Sequence, residues 1–413
     1  LPIHRPTFRV KERKVTRQST DILISGSGVA GLVAAAAFGA AGFSVICVDP
    51  EVPIIDPNAA GADLRSTAFL QPAVPVLQAA GLWQRLLPFA APLKIMRIID
   101  AGGAEPVPRQ TKDFDAAEIS DLPFGYNLPN WLLRRETLAA FAQMPQLSFR
   151  SGLATTGLTT RQSEAIVTLS DGTRIAARLV IAADGRDSYL RRAAGIDVKT
   201  TRYGQKALAF FVTHAAPHQN ISTEIHRSGG PFTLVPLPDH QGQHCSAVVW
   251  MTLGPDAENL AALPQPEFET AINARSCGIL GPLTLVSRRT IWPIITQIAE
   301  RMAGERLALI AEAAHVAPPI GAQGLNMSLA DLAKLTALAR AAPADLGSAA
   351  MLEAYHRARH PDIALRLRGI DALNRASMQG EPVLRDLRAA ALNAAFGIAP
   401  LRKALMKTGL GLR

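Results

Sequence analysis

What most constrains this chain is the run Gly26-Ser27-Gly28-Val29-Ala30-Gly31, set between a strand pattern at residues 21–25 and an Ala-rich helical pattern at residues 32–41. Gly42 closes the helix, residues 44–48 (SVICV) give a second apolar strand pattern, and Asp49 ends it. Strand, glycine turn, helix and strand in that order make one βαβ unit, which calls for a parallel sheet covered by helices. The three glycines serve different ends. Gly26 makes the tight turn, Gly28 lets the backbone approach a pyrophosphate, and Gly31 lets helix and strand pack closely. The helix N-terminus then offers oriented N–H donors and a partial positive charge. Asp49 follows Gly31 by 18 residues, where an acid accepts bonds from both ribose hydroxyls of an adenosine and repels a 2′-phosphate. The unit suits NAD or FAD and excludes NADP.

At 413 residues and 48% hydrophobic content, the chain exceeds what one core usually serves, so two domains are expected. The net charge of +9 sits at the two ends: residues 1–20 carry six Lys and Arg against one Glu, and residues 381–413 carry six against two acids. The stretch between is neutral and has no basic groove, which excludes a nucleic-acid partner. Cys47, Cys245 and Cys277 are far apart, with no CxxC pair and no metal-site spacing, as in a reducing compartment. No run of 18 apolar residues exists to span a bilayer. Residues 1–20 lack an apolar signal region and read as a disordered basic leader, with a transit peptide as the alternative.

Helical patterns follow at residues 65–83 and 135–144. Residues 148–182 alternate instead, with Asp171-Gly172 as a hairpin turn. Strand patterns dominate residues 205–295, and a buried strand at 307–310 leads into a Gly/Pro-rich loop and then helices. The fold class is thus α/β: a Rossmann-type domain, discontinuous over residues 21–204 and 299–345, an antiparallel-sheet substrate domain over 205–298, and a C-terminal helical segment over 346–413.

Two further motifs decide between FAD and NAD. AADGRDS at residues 182–188 and EAAHVAPPIGAQGLN at residues 312–326, together with the glycine run, resemble the class A flavoprotein monooxygenases of the p-hydroxybenzoate hydroxylase type. RSTAFLQPAVPVLQAAGLW from Arg65, LLRRETL from Leu132, LEAYHRARHPD from Leu352 and LRKALMKTGLG from Leu401 narrow the resemblance to the ubiquinone-biosynthesis ring hydroxylases. It covers nearly everything after Ser19.

The resemblance implies a set of FAD contacts. Asp184 and Gly185 brace the flavin site and let NAD(P)H act without its own Rossmann domain. Glu312 stands where the family has an aspartate on the ribityl chain. Pro318 and Pro319 bound the turn beside the isoalloxazine, and Gly321, Gly324, Leu325 and Asn326 bring backbone N–H groups to the ring edge, where they stabilise negative charge on the reduced flavin. Arg135 matches the position reaching the ribityl and phosphate region. Arg65 reads equally as a phosphate contact or as the partner of a local acid. His315 is the candidate catalytic base beside the flavin, against the reading of a histidine bonding the loop. Trp250 and Trp292 read as core of the sheet domain. The chain departs from the family at Glu312, one methylene longer than the usual acid, and at Ala311 and Ala322, where glycine is common.

The resemblance also implies an activity: hydroxylation of the ring of a polyprenylated phenol by O2, activated on reduced FAD as a C4a-hydroperoxide, with NAD(P)H or a ferredoxin as electron donor. Other ubiquinone-biosynthesis proteins are expected partners, and the expected location is cytoplasmic and peripheral to the inner membrane. Leu384, Leu387, Ala391, Leu392, Ala395 and Phe396, flanked by basic residues, suit an anionic membrane surface. Two alternatives stay open: a hydroxylase of a small soluble aromatic, or a non-catalytic subunit with a degenerate flavin site.

Overall fold

Ile22, Leu23 and Ile24 are fully buried, as a strand covered on both faces by helices requires. In the computed structural model, which describes residues 17–102, 106–227, 229–378, 393 and 396–412, they sit at the centre of a sheet. Its five parallel strands run in the order Leu307–Leu309, Arg174–Ala182, Arg17–Ser25, Val45–Asp49 and Leu147–Ser151. The first strand starts at Arg17, so residues 17–20 are sheet rather than leader; residues 1–16 lie outside the described residues. The hairpin Ala165–Leu169 and Arg174–Ala182 turns at Asp171-Gly172 as expected. Helix Val29–Ala40 lies buried from Ala30 to Gly39, because alanine side chains let its axis approach the sheet closely.

The second sheet is ordered His315–Val316, Thr290–Ala299, Val198–His214, Gln243–Leu253, Gly230–His240, Ile221–Arg227, Ile95–Asp100 and Gln110–Asp115. All its pairs are antiparallel except Ile221–Arg227 with Ile95–Asp100. This corrects the expected boundaries: two strands come from within residues 21–204, one begins at Val198, and a two-residue edge strand comes from within 299–345. Helices Gly254–Ala262 and Gln265–Arg275 cover one face, with Phe268 packed edge-on to Phe210.

Residues 65–83, read as helix, instead begin with strand Ser66–Leu70, which pairs with Gly125–Pro129 in a small three-stranded sheet; helix appears only at Val74–Ala79 and from Trp83. The non-local pairing outweighs a leucine spacing that mimics a helix. The long helix Ala349–Met378 joins both large sheets. Its Tyr355 hydroxyl donates to Leu309 O at 2.8 Å in the first, and its Asn374 Nδ2 donates to Gln205 Oε1 at 3.0 Å in the second. Among the described residues, no helix is long and apolar enough to cross a membrane.

Candidate FAD and substrate site

A continuous cavity of ≈ 720 Å³ runs from the glycine turn to the face of the antiparallel sheet. At its first end, Gly26 has φ 110°, and a Cβ there or on Gly31 would collide with backbone: the Ala183 carbonyl in one case, the Gly26 carbonyl in the other. A Cβ on Gly28 would meet nothing within 4 Å and would project into open space. Two glycines are thus required by the protein itself, whereas Gly28 is free of that demand and lines the cavity. The Asp49 carboxylate accepts from Ser27 N at 2.5 Å and from Glu51 N at 2.8 Å, so it braces the glycine turn while lining the cavity.

Asp63 organises the next stretch. It takes a two-point bond from Arg65 (Nε and Nη2, each 2.8 Å), one from Asn130 Nδ2 at 3.0 Å, and a longer contact from Arg134 Nη2 at 3.5 Å. Burial would raise its pKa, but these partners outweigh burial and hold the carboxyl down at about 2. Arg65 therefore pairs with a local acid while lining the cavity, its guanidinium 5.6 Å from the Trp292 ring centroid. Trp250 is core, packed edge-on to Phe232, and Trp292 packs against the main core while also lining the cavity.

Arg135 does not take the expected place. Adjacent residues on helix Asn130–Phe141 point about 100° apart, and Arg135 turns away, stacks on Phe89 and Trp131, and donates to Glu136 at 2.9 Å. Arg134 lines the cavity in its stead.

Asp184 and Gly185 line the cavity, and Asp184 accepts from Ser188 Oγ at 2.5 Å and Leu190 N at 3.1 Å, which fixes the turn into helix Tyr189–Ala193. Arg186 faces Glu312 at 3.5 Å across the cavity wall. Arg191, nearly fully buried, donates to Ala313 O at 2.9 Å and so ties this turn to the 311–325 loop.

The loop itself supplies Glu312, Pro318, Pro319 and Gly321 to the cavity, and the first turn of helix Gln323–Ala341 supplies Gly324 and Leu325. Asn326 is not on the wall: its Oδ1 accepts from Leu70 N at 2.9 Å and its Nδ2 donates to Ala68 O at 2.7 Å, locking helix Gln323–Ala341 to the small sheet. His315 lines the cavity yet is 2% exposed; its Nε2 lies 2.7 Å from Asp331 Oδ2, and Asp331 Oδ1 accepts from Arg359 Nε at 2.7 Å. That buried chain of three fixes the imidazole from behind.

Two helices open on the cavity, Val29–Ala40 and Gln323–Ala341, and neither N-terminus has a side-chain cap. Their first-turn N–H groups are left for a ligand, which is the donor set that a pyrophosphate at one end and an electron-accepting ring at the other require. The residues fit FAD. Beyond the loop the wall changes character: Leu93, Ile95, Met96, Val235, Val249 and Ile294 make it apolar. Sequence reasoning missed Asp63, Asn130, Arg134 and Glu224; Arg134 stood beside the residue chosen, and Arg186 lay inside a quoted motif.

A dinucleotide cradle joined to an apolar chamber is the arrangement that suits a flavin-dependent oxidoreductase. The family described as FAD binding domain matches residues 19–367. The ubiquinone hydroxylase UbiL of Rhodospirillum rubrum is 32% identical over 397 residues, covering 95% of this chain and 89% of that protein. The ubiquinone hydroxylase UbiM of Neisseria meningitidis is 27% identical over 94% of this chain and 84% of its own length. Among solved structures, p-nitrophenol 4-monooxygenase PnpA from Pseudomonas putida DLL-E4 has the same fold, with a TM-score of 0.77 at 16% identity over 96% of this chain and 99% of that one. The chain belongs to the FAD-binding monooxygenase family, whose members include aromatic-ring hydroxylases.

Proposed function

We propose that this protein hydroxylates the ring of a polyprenylated phenol in ubiquinone biosynthesis. The observation that carries the reading is the apolar chamber of the antiparallel sheet, continuous with the FAD cradle, in a chain similar over nearly its whole length to ubiquinone hydroxylases. FAD, when bound, supplies the oxygen activation that no side chain provides. The protein's own residues do the rest. Asp49 and helix Val29–Ala40 hold the adenosine and phosphate end. The N-terminus of helix Gln323–Ala341 presents its N–H groups where negative charge develops on the bound ring. Leu93, Ile95, Met96, Val235, Val249 and Ile294 exclude water from the reacting face.

The electron donor is NAD(P)H or a ferredoxin, and the substrate is drawn from a membrane. The described part of the C-terminal segment supports the second point. Helix Ala399–Leu410 buries Met406 and Leu410 and exposes Leu401 and Leu405, with Ile398 just before it and Lys403 and Lys407 alongside. Of the apolar positions expected to face the membrane, Leu384, Leu387, Ala391, Leu392 and Ala395 lie outside the described residues, while Phe396 packs edge-on to Phe114.

A strain lacking the protein tests the reading. It should accumulate a prenylated precursor one ring hydroxyl short, restored by the wild-type gene; normal quinone with no such precursor would overturn the proposal. Anaerobic mixing of the FAD-loaded protein with NADH, NADPH or reduced ferredoxin identifies the donor by which one bleaches the flavin.

A further inference from the structure

Among the described residues, the apolar wall carries one ionisable group. Strand Ile221–Arg227 places Ser222 and Glu224 on the cavity, and every other cavity-lining residue of the antiparallel sheet's central strands is uncharged. Glu224 Oε1 lies 2.7 Å from His226 Nε2, and both side chains are 15% exposed. His226 is two residues further along the same strand and so on the same face of the sheet. Its Nδ1 is buried and has no hydrogen-bond partner among the described residues. Around the pair stand Thr233, opposite Glu224 on strand Gly230–His240, and Ile98 and Asp100, beside Glu224 and His226 on strand Ile95–Asp100. Asp100 in turn faces Arg109 at 3.7 Å.

A carboxylate on a greasy wall is costly unless it is paired and bonded. His226 meets that need with one oxygen, which leaves Glu224 Oε2, on a side chain that lines the chamber, available as an acceptor. The cations that line the cavity already face acids: Arg65 and Arg134 share Asp63, Arg186 faces Glu312, and His315 faces Asp331. None of them comes from the sheet's central strands. Among the described residues, a ligand bearing its own carboxylate would meet Glu224 with no cation from those strands beside it to offset the repulsion, whereas a ligand with a hydroxyl donor would find a carboxylate acceptor.

We propose that Glu224, held in place by His226, accepts the hydrogen bond of the substrate's ring hydroxyl, and that the site thereby selects neutral phenols over aromatic carboxylates. This rests on the ring-hydroxylation reading above. The bond orients the ring and draws the hydroxyl proton toward Glu224, which raises electron density on the carbons to be oxidised.

Flavin absorbance of the FAD-loaded protein, titrated with three probes, tests the assignment. 2-Methoxyphenol should bind about tenfold or more tightly than its methyl ether, 1,2-dimethoxybenzene, as a hydrogen bond to a charged acceptor implies. 4-Hydroxybenzoate should not bind. Glu224→Met should erase the preference for phenol over ether with FAD content unchanged. Glu224→Gln, which keeps an uncharged acceptor, should retain part of that preference and make 4-hydroxybenzoate binding measurable. Equal affinity for phenol and ether in the wild type, or a preference untouched in both variants, overturns the role of Glu224 and leaves the ring-hydroxylation reading standing. If neither probe perturbs the flavin, both fall together.

Discussion

Ala311 and Ala322 stand on either side of the 312–321 loop, and both hold the same left-handed backbone, φ 56°. The family resemblance leads one to expect glycine at both positions, and here two alanines take up a conformation that costs an L-residue roughly 1–2 kcal/mol. The strain is tolerated because Ala311 packs against the main core and Ala322 O accepts from Asn326 Nδ2 at 2.6 Å.

Ala311→Gly and Ala322→Gly should therefore each stabilise the protein, by up to about 1 kcal/mol once the extra freedom of glycine in the unfolded chain is set against the relieved strain. Thermal unfolding should move up by about 1–2 °C per variant. A fall in both would mean that the methyl groups contribute more by packing than the backbone loses.

The glycine turn divides into two kinds of position. Gly31→Ala should damage folding itself, because its Cβ would collide with the Gly26 carbonyl, and soluble yield should drop with the flavin. Gly28→Val has open space for its side chain and should fold normally but lose FAD, since the side chain occupies the cavity that the pyrophosphate needs. The ratio of flavin to protein absorbance, read beside the melting curve, separates the two; a yellow Gly28→Val protein would remove this turn from the FAD site.

That division was legible in the sequence, and the reason is local. Gly26, Gly28, Gly31 and Asp49 act within a few residues of a strand end, so spacing carries their geometry, whereas the two loop motifs were legible only through the family resemblance. Asp63 was not legible: it precedes any periodic element, and its role exists only because Arg65, Asn130 and Arg134 converge on it from a loop and a helix. Arg135, named from the resemblance alone, failed on helix phase, since of two adjacent arginines it is Arg134 that lines the cavity. Strands Ile95–Asp100 and Gln110–Asp115 pair with each other, but they reach the sheet through Ile221–Arg227, more than a hundred residues away. Glu224 shows the same limit, since alternation tells which residues share a face and not what that face meets.

The Asp63 cluster should impose an acid limit. Its carboxyl sits at about 2, below an unfolded value of about 3.9, so its contribution is fully present above pH ~4 and is lost as the pH falls toward 2. At neutral pH the linked stabilisation is on the order of 2 kcal/mol. Asp63→Asn should lower stability by that amount at pH 7, and the gap from wild type should close in acid denaturation below pH 3. A gap that stays constant with pH would show that Asp63 acts through its shape and not its charge.

Asp331 is fully buried between His315 and Arg359. Asp331→Ala would take from the Arg359 guanidinium its buried carboxylate and leave it only that of Asp362, at 2.8 Å, so the cost should reach at most about 3–5 kcal/mol, that of breaking a buried pair. Combining Asp331→Leu with Arg359→Met removes both charges and should recover much of the loss, which urea midpoints would register. If the double variant were as unstable as the single one, the cost would lie in the His315 contact.

The C-terminal helix has an apolar face turned to solvent. Ile398, Leu401 and Leu405 are exposed at 54%, 42% and 48%, spaced at three and four residues so that they share one face, while Met406 and Leu410 face inward. Arg402 is held by Glu118 at 2.7 Å, which anchors the helix to the protein and leaves Lys403 and Lys407 free to meet an anionic surface. Gln323 donates to Gly409 O at 2.9 Å, so the same helix touches the loop that lines the cavity. On the proposed function, a prenylated ring passes from lipid to chamber beside that contact. Leu401→Asp with Leu405→Asp, both on the exposed face, should leave FAD content and turnover of a short-chain phenol unchanged while abolishing binding to vesicles containing anionic lipid. Each juxtamembrane lysine contributes about 1 kcal/mol, so salt should weaken wild-type binding. Vesicle binding that survives the double substitution and ignores salt would place the attachment elsewhere and leave this helix as a docked element of the fold.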